Sequence, residues 1–246
     1  MRTGRIVVVT GAAGGIGRLV AERFLANGDT VIAIDLDESA LALLTAPQAQ
    51  GAKLHAVTAD ISNEADCATV AACARDAAGR VDVLVNVAGW FPVQPFEGLS
   101  AADFRRVVDV NLTGPFLMIK AMWPLMQGRD WGRIVTIGSA STFQGVPDQV
   151  HYVAAKAGLF GLTRSLARVV GQHGITVNVV TPGLTETEPV KRTMPAAMLE
   201  RAIEARALKR AEQPDDLVGA VFFLASPDAG FITGQTLNVD GGSHMV

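Results

Sequence analysis

The chain has 246 residues, 49% of them hydrophobic, and a formal net charge of −3 from 21 basic and 24 acidic side chains. That size is enough to bury a large core, and the mild acidity provides no electrostatic footprint for nucleic acid or an anionic membrane. No apolar run approaches the roughly 18 residues a membrane span needs, and the opening "MRTGRIVVVTGAAGG" is too short in apolar residues for a signal peptide, so a cytoplasmic setting is expected.

The chain alternates between strands and helices. "RIVVV" is a short β-branched strand, and it runs into a loop with Gly11, Gly14, Gly15 and Gly17 that opens the helical run "IGRLVAERFLANG". Glycines at a strand–helix junction allow a tight turn and let backbone N–H groups approach an anion at the helix N-terminus. Gly28 reads as that helix's stop. The second strand, "TVIAID", ends in Asp35, 18 residues after Gly17, where a carboxylate bonding an adenosine ribose is expected. Its neighbours Leu36 and Asp37 provide no cation for an extra phosphate, and Arg18 is expected to face solvent, so NAD is favoured over NADP.

"KLHAVT" follows as a strand, then "SNEADCATVAACARDAAG" as a helix with Ser62 or Asn63 as N-cap. Cys67 and Cys73 lie six apart on it, about 240° around the axis, and read as small buried or partly buried hydrophobes. The strand "VDVLVN" leads into "WFPVQPFEGLS", which breaks the rhythm with two prolines and three aromatics. Asn111 falls mid-helix, where its propensity is poor. "RIVTIGS" is a strand ending at Ser139, and a helix carrying Tyr152, the only tyrosine of the chain, and Lys156 comes next. Residues at i and i+4 share a helix face, so phenol and ammonium point the same way. His151, about 100° away, is expected at a pocket edge or interface. After the strand "ITVNVV", residues 183–213 form a long excursion with helical pieces before the last strand, "TLNVD". Mostly apolar strands alternating with helices argue a single α/β domain over 1–246. Its architecture is a doubly wound, Rossmann-like parallel sheet of about seven strands with helices on both faces.

In combination these motifs resemble the short-chain dehydrogenase/reductase family, in its single-domain branch of about 250 residues. "TGAAGGIG" is similar to the family's T-G-x-x-x-G-x-G cofactor loop, which brings in Ile16. Asp60 and Ile61 resemble the pair that meets the adenine ring. "NVAG" resembles N-N-A-G through Asn86, Ala88 and Gly89, with Val87 replacing the second asparagine. Asn111, Ser139, Tyr152 and Lys156 match the catalytic residues, with the 13-residue gap from Ser139 to Tyr152 agreeing. "TPGLTET" resembles the nicotinamide-side loop, which implies cofactor contacts by Pro182, Gly183, Thr185 and Thr187. The resemblance implies a strand order 3-2-1-4-5-6-7, a homotetramer, and a role for Asn111 in holding a water that links Lys156 to solvent.

The chemistry so implied is hydride transfer between NAD(H) and a substrate, with Tyr152 as acid/base and Lys156 lowering its pKa. A shift of three units needs about 4 kcal/mol, which one charge at about 4 Å and an effective dielectric near 20 supplies. The Ser139 hydroxyl would hold the substrate oxygen. Trp90, Phe91, Ser141, Thr142, Phe143, Leu184, Met194 and Met198 are the expected pocket residues, and they suit a small apolar or aromatic secondary alcohol or ketone. Lys191 and Arg192 would meet an anionic substrate or only water. The runners-up are a 3-oxoacyl thioester reductase, a pyridoxal-type alcohol dehydrogenase and, in another class, a non-catalytic dinucleotide sensor or scaffold. No metal-ligand spacing is present.

Overall fold

The computed structural model describes residues 3–45 and 51–245. Its strands are β1 (Ile6–Thr10), β2 (Thr30–Asp35), β3 (Lys53–Thr58), β4 (Val83–Asn86), β5 (Gly132–Ile137), β6 (Ile175–Pro182) and β7 (Thr236–Val239). They form one parallel sheet in the order β3-β2-β1-β4-β5-β6-β7. The helices are α1 (Gly15–Ala26), α2 (Glu38–Leu41), α3 (Glu64–Ala78), α4 (Ala101–Val108), α5 (Gly114–Met126), α6 (Ser141–Gln144), α7 (Val150–Val170), α8 (Glu188–Thr193), α9 (Ala196–Ala205) and α10 (Asp215–Leu224).

The central strands β1, β4, β5 and β6 are buried on both faces, because side chains alternate between two separate cores. Val7, Val9, Val83, Val85 and Val135 pack under α1 and α10, around Phe24, Leu217 and Phe222. Ile6, Val8, Leu84, Ile134 and Val177 face α3 and α5, around Val70, Met118, Met122 and Met126. The edge strand β3 differs from its apolar reading: its residues are exposed or half-buried and none is fully buried, in keeping with its single neighbouring strand.

Local signals set the helix ends. Gly28, at φ 80°, follows the C-cap of α1, and Asn63 caps α3 by accepting the Ala65 N–H at 2.9 Å. Ser62, the other candidate cap, instead donates its hydroxyl to Asp60 at 2.6 Å. Cys67 is buried and Cys73 half-buried, both as free thiols. Two boundaries fall differently from the sequence reading. β5 stops at Ile137, leaving Ser139 in the loop beyond it, and Asn111 sits in a π-turn (Asp109–Thr113) between α4 and α5 rather than in regular helix. Among the described residues no helix is long and apolar enough to cross a membrane.

Candidate active site

The carboxyl ends of β1, β4, β5 and β6 open on one edge of the sheet, where ligands of doubly wound folds sit. Thr10 ends β1, and its hydroxyl accepts the N–H groups of Val87 and Ala88 at 3.1 and 3.2 Å, joining the first loop to the exit of β4. Gly11 has φ +67°, and a Cβ there would come within 2.7 Å of the Ala88 nitrogen; one on Gly17 would overlap the Gly11 carbonyl. The backbones of loop and helix therefore approach as only glycine permits. α1 begins at Gly15 behind Gly14, which provides no side-chain cap, and there is no acid in its first turn. That leaves the N-terminus free to receive an anion.

Asp35 closes the far side of this loop. Its carboxylate accepts the N–H groups of Ala13 (3.0 Å), Leu36 (2.8 Å) and Asp37 (3.3 Å). Asp60 lies beyond β3; burial pushes its carboxyl up, but bonds from Ser62 and Arg106 outweigh this and hold it below the usual range. Ile61 is buried against Gly114. Asn86 is buried with its Oδ1 unpartnered. The glycine cradle, the uncapped helix and the flanking Asp35 fit a dinucleotide, whose phosphates the α1 N-terminus would be free to receive.

Tyr152 and Lys156 project from the first two turns of α7. The Lys156 Nζ donates to the Ile137 carbonyl at 2.8 Å and stands 5.7 Å from the Tyr152 ring centroid. The Ser139 Oγ lies 2.8 Å from the Ser141 Oγ and accepts the Ser141 N–H at 3.2 Å. The electrostatics differ from the sequence expectation that Lys156 lowers the phenol. Burial pushes Tyr152 up to about 12, with a hydrogen bond to Ser139 pulling the other way, and the same desolvation brings Lys156 down to about 8. Both groups give up water, and the ammonium is engaged with a carbonyl rather than the phenol. Tyr152 keeps partial contact with the open cavity, so water tempers the upward push.

Asn111 is fully buried. Its amide donates to the carbonyls of Trp90 (2.7 Å) and Val107 (2.9 Å), and its Oδ1 accepts the Trp90 N–H (3.2 Å). This holds Gly89 against Lys156: a Cβ on Gly89 would lie 3.5 Å from Nζ. His151 is not at the pocket edge. It is buried, accepts the Tyr152 N–H on Nδ1 at 2.9 Å, and has an unpartnered Nε2.

A cavity of about 430 Å³ opens onto Ser139, Tyr152 and Lys156. Phe91, Ser141, Leu184, Met194 and Met198 line it, with Ile16, Val87, Gly89, Pro182, Gly183, Thr185 and Thr187 at its cofactor-loop side. Trp90, Thr142 and Phe143 do not line it. Trp90 is 45% exposed, Thr142 donates back to the Ser139 carbonyl, and Phe143 stacks on Phe160. Sequence reasoning missed Gln144, Val146, Gln149, Val190, Arg201, Arg206, Ser243 and His244, all of which line it. For Arg201 a helical signal existed, the spacing of Met198, Arg201, Ala202 and Ala205 on one face of α9; for His244, brought in by the chain's last turn, none did. The 183–187 loop is clamped from below. Glu212 accepts the Thr185 hydroxyl at 2.6 Å and the Gly183 N–H at 3.1 Å, while Arg206 donates to the Leu184 carbonyl at 2.8 Å. Among the described residues no His, Cys, Asp or Glu cluster is arranged to hold a metal.

Comparisons with known proteins agree with this architecture. The family model described as enoyl-(acyl carrier protein) reductase matches residues 11–244. The chain is 37% identical to a 2,3-dihydroxy-2,3-dihydro-p-cumate dehydrogenase of Pseudomonas putida, over 99% of this chain and 95% of the relative. It is 38% identical to a 3-oxoacyl-[acyl-carrier-protein] reductase of Vibrio harveyi, over 99% and 98%. The crystal structure of levodione reductase superposes with a TM-score of 0.92 at 31% identity, over 98% of both chains. Such relatives are dehydrogenases and reductases, and the family's members generally bind a nicotinamide cofactor. A glycine loop, a Ser–Tyr–Lys set around one cavity and matches over nearly the full length lead to one assignment: the chain belongs to the short-chain dehydrogenase/reductase family and is an oxidoreductase.

Proposed function

We propose that the chain is an NAD-dependent dehydrogenase acting on a small secondary alcohol, or on its ketone in reverse, with an apolar or aromatic body. The observation that carries this reading is the convergence of Ser139, Tyr152 and Lys156 on a cavity whose other walls include Phe91, Val146, Leu184, Val190 and Met194. A bound NAD would supply the acceptor for the hydride of the carbinol carbon. Gly11, Gly15 and Gly17 would hold its pyrophosphate side, Asp35 its ribose, and Thr185 and Thr187 its carboxamide side. The Ser139 hydroxyl donates to the substrate oxygen, and Tyr152 takes the hydroxyl proton as the carbonyl forms. Since burial pushes the phenol up to about 12, its ionisation depends on positive charge beside it from protonated Lys156, to which an oxidised nicotinamide would add. Asn111 keeps Gly89 and Trp90 in register with Lys156, in addition to the water-relay role its family resemblance implies.

The preference for NAD rests on Asp35, whose carboxylate would repel a 2′-phosphate, and on the absence of a cation at Leu36 and Asp37. Two further readings have support. Phe116 on α5, Val150 on α7 and Leu237 on β7 are exposed apolar side chains that suit a homotetramer, and the free thiols suit a reducing cytoplasm. The test of function is NADH formation across a panel of secondary alcohols by the wild type and by Tyr152→Phe. Turnover should fall by about 100- to 10,000-fold in the variant, in line with loss of an acid/base group, while NADH still binds. A variant that turns over like the wild type would remove Tyr152 from the chemistry.

A further inference from the structure

We propose that the substrate of this site carries an anionic group, a carboxylate, at the end remote from the reacting carbon, and that Arg201 binds it. The inference rests on the proposed dehydrogenase reading and specifies the substrate class of the same cavity.

The charge balance of the cavity is one-sided. Among the described residues no aspartate or glutamate side chain lines it, while Lys156, Arg201 and Arg206 all do. Two of these cations are already committed. Lys156 donates to the Ile137 carbonyl, and Arg206 is buried, pairing with Glu212 and donating to the carbonyls of Leu184 and Arg210. Arg201 makes no ion pair among the described residues and is exposed on the open side. Lys191 and Arg192, the cations the sequence points to, are turned elsewhere: both engage Glu188 within α8 and neither lines the cavity.

The helix that carries Arg201 has an unusual inner face. α9 buries none of its residues, although Met198, Arg201, Ala202 and Ala205, at i, i+3, i+4 and i+7, all line the cavity. An amphipathic helix of this kind ordinarily seats its apolar stripe on protein. Here the stripe faces space of substrate size, and its one charged member is a guanidinium. A carboxylate entering an apolar cavity loses hydration and needs a matched counter-charge, and a guanidinium can offer two parallel N–H donors. With a neutral ketone the guanidinium stays solvated at the open side of the cavity, and with an acid it has a charge to pair.

The test uses matched ketones that differ only at the far end, a carboxylate against its methyl ester, on one aryl and one alkyl frame. NADH oxidation is followed with wild type, Arg201→Met and Arg201→Lys. The wild type should favour the acid by about 10-fold or more in kcat/KM, mostly through KM, consistent with a charge-assisted hydrogen bond. Arg201→Met should erase that preference, and Arg201→Lys should keep part of it. Equal kcat/KM for acid and ester in the wild type, or a loss in Arg201→Met shared equally by both, would overturn the anionic-substrate inference and leave the dehydrogenase reading standing. No NADH oxidation with any acid or ester, alongside none across the alcohol panel, would overturn both.

Discussion

Arg206 and Glu212 form an ion pair of 3.5 Å with both side chains almost fully buried, directly beneath the loop that runs from Gly183 to Thr187. Burial raises the Glu212 carboxyl, opposed by the Thr185 hydroxyl bond and by Arg206. Arg206→Met would strand that carboxylate, and breaking one partner of a buried pair costs about 3–5 kcal/mol. The sign of the pH dependence follows from the raised folded pKa. The charged form is the disfavoured one in the fold, so the cost is full above the folded pKa and disappears as pH falls toward the unfolded value. Chemical denaturation should therefore show a stability gap between wild type and variant that narrows from neutral pH toward about 4.5, the ordinary glutamate value. KM for the cofactor should also rise, because Arg206 no longer holds the Leu184 carbonyl. A gap that is constant across this range would mean Glu212 is not the strained group.

Lys156 gives a second pH signature, opposite in sign. Burial lowers it to about 8 from an ordinary 10.5, so between those values the unfolded chain binds more protons than the folded one. Stability then rises with pH across that window, by up to about 3 kcal/mol for a shift of this size. Tyr152, raised to about 12, works the other way above 10, where the unfolded phenol ionises first. Comparing wild type with Lys156→Met isolates the lysine, since Tyr152 is common to both. The wild type should gain on the variant between pH 8 and 10.5. Parallel stability curves would show that the Ile137 carbonyl already compensates the ammonium.

How far the sequence reached depends on whether a feature is local. The strand–helix alternation, the glycine cradle and the asparagine cap of α3 are encoded within a few neighbouring residues, and each is where the pattern puts it. The sheet order was not in the periodicity; it came with the family resemblance and is the order observed. Features set by distant chain segments were missed. Arg5 and Asp29 form a buried pair at 2.6 Å and Arg5 also donates to the Ala225 carbonyl, contacts no local pattern announces. The Arg206–Glu212 clamp, the inward face of α9 and the approach of His244 are of the same kind. His151 misled for a different reason. A 100° offset from Tyr152 gives a direction, but what fills that direction is decided by the packing of α4 on α7. The rise of the phenol comes from burial, which a sequence does not display because it lists charges and omits their desolvation.

Cofactor choice is the sharpest of these readings to test. Asp35 is fixed by three backbone N–H groups, so under the proposed reading its carboxylate would stay in place against an incoming 2′-phosphate. Leu36 is 63% exposed, and an arginine there would displace nothing from the core. The pair Asp35→Ala and Leu36→Arg removes a repulsion and adds a guanidinium suited to phosphate. Together they should raise the ratio of kcat/KM for NADPH over NADH by about 100-fold, which corresponds to a little under 3 kcal/mol. Asp35→Ala alone should give roughly a tenth of that fold-change, with about 1–2 kcal/mol of stability lost with its hydrogen bonds. Steady-state rates with both cofactors at one ionic strength decide it. If the single variant leaves the ratio where it was, the carboxylate does not discriminate between the cofactors, and its three hydrogen bonds serve only to shape the turn after β2.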